Sequence, residues 1–394
     1  MRVLISGAGI AGPTLAYWLA RYGLEPTIVE KAPRLRTGGY IIDFWGLGFE
    51  IAERMGLRPE ITQKGYLVRE VRVVDRHGNR VAGFPASAFA RFARGRFISL
   101  PRGDLAASIF EKIDGTVETL FGDSVVALSD NGHGVRVTFE RGPARDFDLV
   151  IGADGLHSRV RTLVFGPQRQ FERYLGFKVA AFEVTGYRPR DELTYVMYTQ
   201  AGQGVARFAM HDDRTMFLFT IADPDDATPE DALAQKAFLR RRFESSGWEC
   251  PQILNALDVT GDLYFDRVSQ IRMLPDEAWA RGRVALIGDA ASCVSLLAGE
   301  GSGLAMTAAY ILAGELHRAN GDHQAAFARY TDLFAPLVLA KQKAAHGFAK
   351  TFVPTSAFGV FLRNQMFNLL AVNWIADVIM RRSFEDNFEL PDYE

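Results

Sequence analysis

The run Gly7-Ala8-Gly9-Ile10-Ala11-Gly12 constrains this chain more than any other feature, because it sits between an apolar stretch, Val3-Leu4-Ile5, and a helix-forming segment, Thr14 to Tyr22. In a strand-to-helix turn each of the three glycines has a physical task. Gly7 allows the tight turn, Gly9 lets a pyrophosphate approach the backbone, and Gly12 lets the helix pack on the strand. The helix N-terminus then turns its partial positive charge toward the phosphates. Gly23 stops the helix, and Thr27-Ile28-Val29-Glu30 supplies a second strand. Glu30 lies eighteen residues past Gly12, where a carboxylate can accept hydrogen bonds from ribose hydroxyls and would repel a 2′-phosphate. Gly7, Gly9, Ala11, Gly12, Glu30 and Lys31 are therefore expected to hold a dinucleotide. The loop alone does not choose between NAD and FAD.

A chain of 394 residues is long enough for two or three domains of roughly 150 residues each. Its 45 Lys+Arg nearly balance 47 Asp+Glu, for a formal net charge of -2. No field exists to hold a polyanion, which excludes nucleic acid as a partner. Cys250 and Cys293 make no CxxC pattern, so a reducing, cytoplasmic setting is expected. Arg2 and the following apolar run superficially resemble a secretory leader, but the glycine loop interrupts the run and no small-residue cleavage site follows. The thirteen residues from Asn364 to Ala376 fall short of the ~20 needed to cross a bilayer, so no membrane span is expected. The seven histidines show no metal-ligand spacing, so no metal is expected.

Beyond the opening unit, His77-Gly78-Asn79 has hairpin chemistry, and a β-rich block runs from Leu175 to Ala222. Its strands look antiparallel. Phe177, Phe182, Tyr195, Met197, Tyr198, Phe208, Met210, Phe217 and Phe219 alternate along them, so one face can roof a pocket while the other is core. Val284 to Ile287 is a last strand, and helix dominates from Gly303 onward, with Ser356 as the N-cap of a final helix to about Met380.

Two further stretches choose the cofactor. One runs from Asp148 to Arg161 and holds Gly152-Ala153-Asp154-Gly155; the other runs from Gly282 through Gly288-Asp289-Ala290-Ala291 to Gly299-Glu300-Gly301-Ser302-Gly303. Together with the opening loop they resemble the three signatures of the single-component FAD-dependent monooxygenases built like p-hydroxybenzoate hydroxylase, and suggest the branch that oxidises tetracycline-like and other fused-ring molecules. The resemblance covers Met1 to about Leu316 in the expected order. It implies an α/β fold: a Rossmann-like FAD-binding domain in pieces 1–75, 100–172 and 270–345, an inserted antiparallel β-sheet substrate domain of 76–99 and 173–269, and a C-terminal helical segment of 346–394. It also implies that Asp154 supports FAD and the nicotinamide donor, that Asp289 and Gly288 meet the ribityl or ribose region, and that Arg102 contacts the cofactor from the start of a helix. Val125 is expected to meet adenine through its backbone, and Gly299, Gly301 and Ser302 to turn helix amides toward the flavin pyrimidine, where negative charge appears on reduction.

Arg36 and Asp43 fall where the family passes its chain beside the flavin ring, and are candidates for flavin or substrate contacts. The implied reaction reduces FAD with NADH or NADPH, adds O2 to form a C4a-hydroperoxide, and hydroxylates an aromatic or polyketide-like small molecule. An FAD-dependent reductase or dehydrogenase, or a binding protein without redox function, would use the same fold. A monomer and a dimer are both compatible with the sequence. Three places depart from the family: Ser292 stands where His is frequent, Ser295-Leu296 where a Pro is, and Gly303 where an Asn is. These bear on the polarity around the flavin, and hence on the substrate subgroup.

Overall fold

The computed structural model describes residues 1–35, 38–274, 278–384 and 388–393. Strands Arg2–Ser6, Glu25–Glu30 and Leu149–Gly152 are apolar on both faces and lie in register as parallel neighbours. Such strands need a cover on each side. Helix Ala11–Arg21 supplies part of it, burying Leu15, Trp18 and Leu19. The complete sheet runs in the order Ala280–Arg281, Val284–Leu286, Leu149–Gly152, Arg2–Ser6, Glu25–Glu30, Glu118–Phe121. A three-stranded meander, Val125–Asp130, Val135–Phe139 and Arg145–Phe147, adjoins it.

The second layer is a seven-stranded sheet in the order Tyr264–Ile271, Glu172–Thr185, Arg214–Ala222, Gln203–Ala209, Thr194–Gln200, Glu70–Val74, Arg80–Pro85. The expectation of an antiparallel sheet fails at one junction, where Thr194–Gln200 runs parallel to Glu70–Val74. The hairpin at 77–79 forms as expected, between Glu70–Val74 and Arg80–Pro85. Its first strand therefore belongs to this sheet, ahead of the boundary expected at 75. The boundary at 99 also cuts a strand, since Phe97–Pro101 pairs throughout with Ile41–Trp45.

One face of the large sheet, with Phe182, Tyr198, Phe217 and Phe219, packs under helices Ala232–Phe243 and Cys250–Val259. Tyr195, Phe208, Met210 and Met216 lie on the other face, with Tyr40, Ile41 and Tyr66 of the first domain. Ser356 caps helix Ala357–Leu369, its Oγ accepting from the Gly359 amide at 3.1 Å. The single final helix expected to about Met380 is two, the second being Asn373–Phe384. The break lets Phe367 and Leu370 enter the cluster under the hairpin, while Asn373 and Asp377 meet Arg91. Phe358 and Phe361 of helix Ala357–Leu369 remain exposed, so these rings are not core. Among the described residues no helix is long and apolar enough to cross a membrane.

Candidate functional site

The glycine loop is closed by backbone contact. A Cβ on Gly12 would stand 2.0 Å from the Gly7 carbonyl oxygen, and one on Gly7, at φ +113°, would stand 2.5 Å from the Ala153 carbonyl oxygen. The second requirement ties the first motif to the second, because Ala153 and Asp154 end the neighbouring strand. No side chain caps the N-terminus of helix Ala11–Arg21, leaving its positive end to the loop. Glu30 closes the other side: Oε2 accepts from the Ala8 amide and Oε1 from the Ala32 amide, each at 2.8 Å. Lys31 is exposed beside it. The Asp123 amide donates to the Glu30 carbonyl at 3.1 Å, which brings the start of Val125–Asp130, with buried Val125, to the same end of the sheet.

Asp154 folds back on its own turn. Oδ2 accepts from the amides of Arg159 (2.8 Å) and Val160 (3.0 Å), and Oδ1 is buried without a hydrogen-bond partner. Burial raises its pKa against those donors. Gly288, at φ +59°, turns strand Val284–Leu286 into the short helix Asp289–Ser292. Asp289 is raised by burial and opposed by the Arg102 guanidinium. Gly301 lies close enough that a Cβ there would be 3.8 Å from Asp289 Oδ1. Gly299 is left-handed, and no side chain caps helix Gly301–Arg318, which begins with Gly301 and Ser302. Arg102 opens helix Arg102–Glu111, its amide donating to the Tyr40 carbonyl at 3.0 Å. Tyr40, its hydroxyl pushed up to about 12 by burial, lies 5.4 Å from Tyr264, ring centre to ring centre. The inserted sheet thus reaches the Arg102–Asp289 region.

Sequence reasoning missed Arg161. Its side chain is fully buried, with Nη1 donating to the Ala290 carbonyl (2.9 Å) and Nη2 to the Leu156 carbonyl (2.7 Å). It staples the second motif to the third. Arg159 and Arg161 look alike in sequence, and only the i+3 relation to the cap Ser158 marks the buried one. A Cβ on Gly48 would stand 2.4 Å from the Gly303 Cα, so helix Gly46–Arg54 crosses at backbone contact, whereas a Cβ on Gly303 itself would meet Gly48 at an ordinary 3.6 Å. Ser292 and Ser295 are buried, and the Ser295 hydroxyl has no hydrogen-bond partner.

Arg36 lies outside the described residues. Asp43, on strand Ile41–Trp45, meets both sheets: Oδ1 accepts from the Ser99 hydroxyl at 2.5 Å and from the Tyr195 hydroxyl at 3.3 Å. Burial raises its pKa, against the two donors. It lines a cleft with Trp45, Gly299, Glu300, Gly303 and Lys341. The structure brings Asp43 to the third motif, and Tyr195 and Ser99 are partners that the sequence did not announce.

These features fit a long dinucleotide with a flat head: a glycine cradle in which a Cβ on Gly7 or Gly12 would strike backbone, two uncapped helix N-termini, opposed Arg102 and Asp289, and buried oxygens of Asp154 and Ser295 without partners. Fold and loops together define a dinucleotide-binding α/β flavoprotein. A family model described as FAD binding domain matches residues 1–326. An uncharacterized protein of Mycobacterium tuberculosis (strain ATCC 25618 / H37Rv) is 41% identical over 337 residues, covering 83% of this chain and 88% of its own. A flavin-dependent monooxygenase of Legionella longbeachae serogroup 1 (strain NSW150) is 31% identical over 398 residues, covering 100% of this chain and 98% of its own. Among solved structures, tetracycline destructase Tet(55) aligns with a TM-score of 0.83 at 32% identity, over 99% of this chain and 98% of that one. The chain belongs to the FAD binding domain family and is an FAD-dependent monooxygenase of the p-hydroxybenzoate hydroxylase-like class.

Proposed function

We propose that this monooxygenase draws electrons from NADH or NADPH and inserts one oxygen atom of O2 into an aromatic or polyketide-like small molecule. When bound, FAD would supply the redox chemistry, taking the hydride equivalent and activating O2 at its C4a carbon. The chain's own groups bind, orient and exclude water. Gly7, Gly9, Ala11 and Gly12 would cradle the pyrophosphate, with Glu30 and Lys31 at the adenosine ribose and Val125 at adenine. Arg102, Gly288 and Asp289 would meet the linking chain, with Asp154 supporting it, and Gly299, Gly301 and Ser302 would give amides to the pyrimidine edge.

The observation that carries the substrate reading is Asp43. One carboxylate oxygen is fixed by the hydroxyls of Ser99 and Tyr195, while the other has no hydrogen-bond partner among the described residues and the residue lines the cleft. A fixed acceptor lining a cleft suits a phenol or enol O–H, and withdrawing that proton enriches the ring for oxygen transfer. A planar fused-ring substrate is in keeping with the tetracycline destructase among the solved neighbours. The test is a panel of planar phenols and fused-ring polyketides with NAD(P)H under labelled 18O2. The expected result is substrate-stimulated NAD(P)H consumption and a product heavier by one 18O atom. Consumption of NAD(P)H with no labelled product from any of them would overturn hydroxylation.

A further inference from the structure

Helix Ala357–Leu369 carries a cation that none of the roles above uses. Arg363 faces inward, with only 3% of the residue exposed. Its hydrogen bonds all go to neutral groups: Nη1 donates to the Thr199 hydroxyl (3.1 Å) and the Phe352 carbonyl (3.4 Å), and Nη2 to the Asn364 side-chain oxygen (2.8 Å). Nε is buried without a hydrogen-bond partner. Among the described residues no carboxylate pairs with this guanidinium, and burial alone lowers its pKa, to about 10, so it stays charged at neutral pH. The Phe352 carbonyl, at the negative end of helix His323–Phe352, offsets part of that charge. A buried cation ordinarily takes an anion as well.

Strand register places this cation on the sheet face that meets Asp43. Thr199 and Tyr195 both belong to strand Thr194–Gln200, and at an even spacing their side chains leave the same face, about 13 Å apart. Across the neighbouring strands Thr199 pairs with Gly204, and Gly204 with Thr220. The two threonine hydroxyls converge there, each 3.3 Å from where a Cβ on Gly204 would stand. Between this row and Tyr195, the same face carries Met197, Ala206 and Leu218. These three keep part of their surface open although their strands are interior to the sheet.

We infer that Arg363, with the hydroxyls of Thr199 and Thr220, forms an anion subsite that takes a substrate carboxylate, at the end of a planar ring system remote from the ring held at Asp43. The inference deepens the proposed hydroxylation and rests on its placement of the substrate at Asp43. A guanidinium and two hydroxyls offer donors to a carboxylate, and without a protein anion among them they favour a charged ligand over a neutral one of the same shape. The distance of about 13 Å along the strand, less a hydrogen bond at each end, matches two fused rings with a hydroxyl and a carboxylate at opposite ends. Held at both ends, such a ligand presents one ring position for oxygen transfer.

The test compares 6-hydroxy-2-naphthoate with its carboxamide, which differ in charge and hardly in shape. Affinities are read by titration calorimetry on the FAD-loaded protein without NAD(P)H, with thermal melting alongside. The parent is expected to bind the carboxylate at least about tenfold more tightly than the amide. Arg363→Met is expected to erase that preference by weakening the carboxylate alone, and Arg363→Lys to keep part of it. Thr220→Val, which leaves the arginine and its contacts in place, is expected to weaken the carboxylate by about threefold and the amide not at all. A parent that binds the amide as tightly, or binds neither ligand, would overturn the inference. So would an Arg363→Met protein that holds FAD and loses both ligands equally, the signature of a purely structural staple. If Arg363→Met does not fold, Thr220→Val decides, and an unmoved carboxylate affinity there overturns the subsite. Binding is read without turnover, so an 18O panel that fails leaves this result standing, and a lost preference here leaves oxygen transfer standing.

Discussion

Around the parallel sheet, the contacts that shape the site run from backbone to backbone: Gly12 against the Gly7 carbonyl, Gly7 against Ala153, Gly48 against Gly303. At the mixed sheet they run from side chain to side chain, with Tyr195 reaching Asp43 and Tyr264 facing Tyr40. The difference matches what we propose each region recognises. A pyrophosphate and a flavin edge present acceptors that amides and helix ends satisfy, so the essential property is an absent side chain. A substrate ring is recognised by shape and by a few placed polar groups. Gly7, Gly12 and Gly48 tolerate no added atom, whereas the second region can be re-tuned by exchanging residues.

The largest effect that could break this comparison is at Gly12. Gly12→Val would drive a side chain into the Gly7 carbonyl, and is expected to cost on the order of 4 kcal/mol or more and to abolish FAD retention; thermal melting and the flavin absorbance of purified protein check both. A yellow protein melting with the parent would show that backbone closure is not what builds the loop. Phe182→Ala, in the core on the far side of the mixed sheet, is expected to cost about 3 kcal/mol. Its FAD affinity should stay unchanged below the melting transition, because the cavity opens away from the cofactor layer. Loss of FAD at low temperature would mean that the two regions are not separable. The smallest structural effect is expected from Asp43→Asn, which should leave FAD binding and melting near the parent and act on turnover.

Asp43 also carries the pH dependence. Burial raises its folded pKa, so the protonated form persists to higher pH than for an ordinary carboxylate. Activity that needs the anion is therefore lost as pH falls through that raised pKa and recovered above it. The expected signature is an acidic limb in kcat/KM displaced above the usual carboxylate range, present in the parent and absent in Asp43→Asn. Stability has the opposite sign: a carboxyl group with a raised folded pKa favours the native state below its unfolded pKa, and that contribution fades as pH rises through the folded value.

Much of the cofactor region was legible because its rules are local. The turn at Gly7–Gly12, the acid at Glu30, the Gly288-Asp289 corner and the cap at Ser356 each depend on residues a few places apart, and local spacing is what a linear chain displays. The substrate region was legible only as alternation. Alternation shows that Tyr195 and Tyr198 point to opposite faces, but not which face meets the cofactor layer. That was decided by helices Ala232–Phe243 and Cys250–Val259, which cover Tyr198 and leave Tyr195 to Asp43. The parallel junction between Thr194–Gln200 and Glu70–Val74 was hidden for the same reason, since the two strands lie more than a hundred residues apart in the chain.

The sequence by itself determined that this chain closes a glycine loop on a dinucleotide, and that three motifs in order make the cofactor FAD, because phosphate and flavin recognition are written in absent side chains and helix ends. Tertiary structure alone decided that Arg161 rather than Arg159 staples two of those motifs, that Asp43 finds Ser99 and Tyr195, and that Arg363 finds Thr199. Each of these is a pairing of buried polar groups across long sequence separation. A buried charge must find its partner wherever folding delivers one.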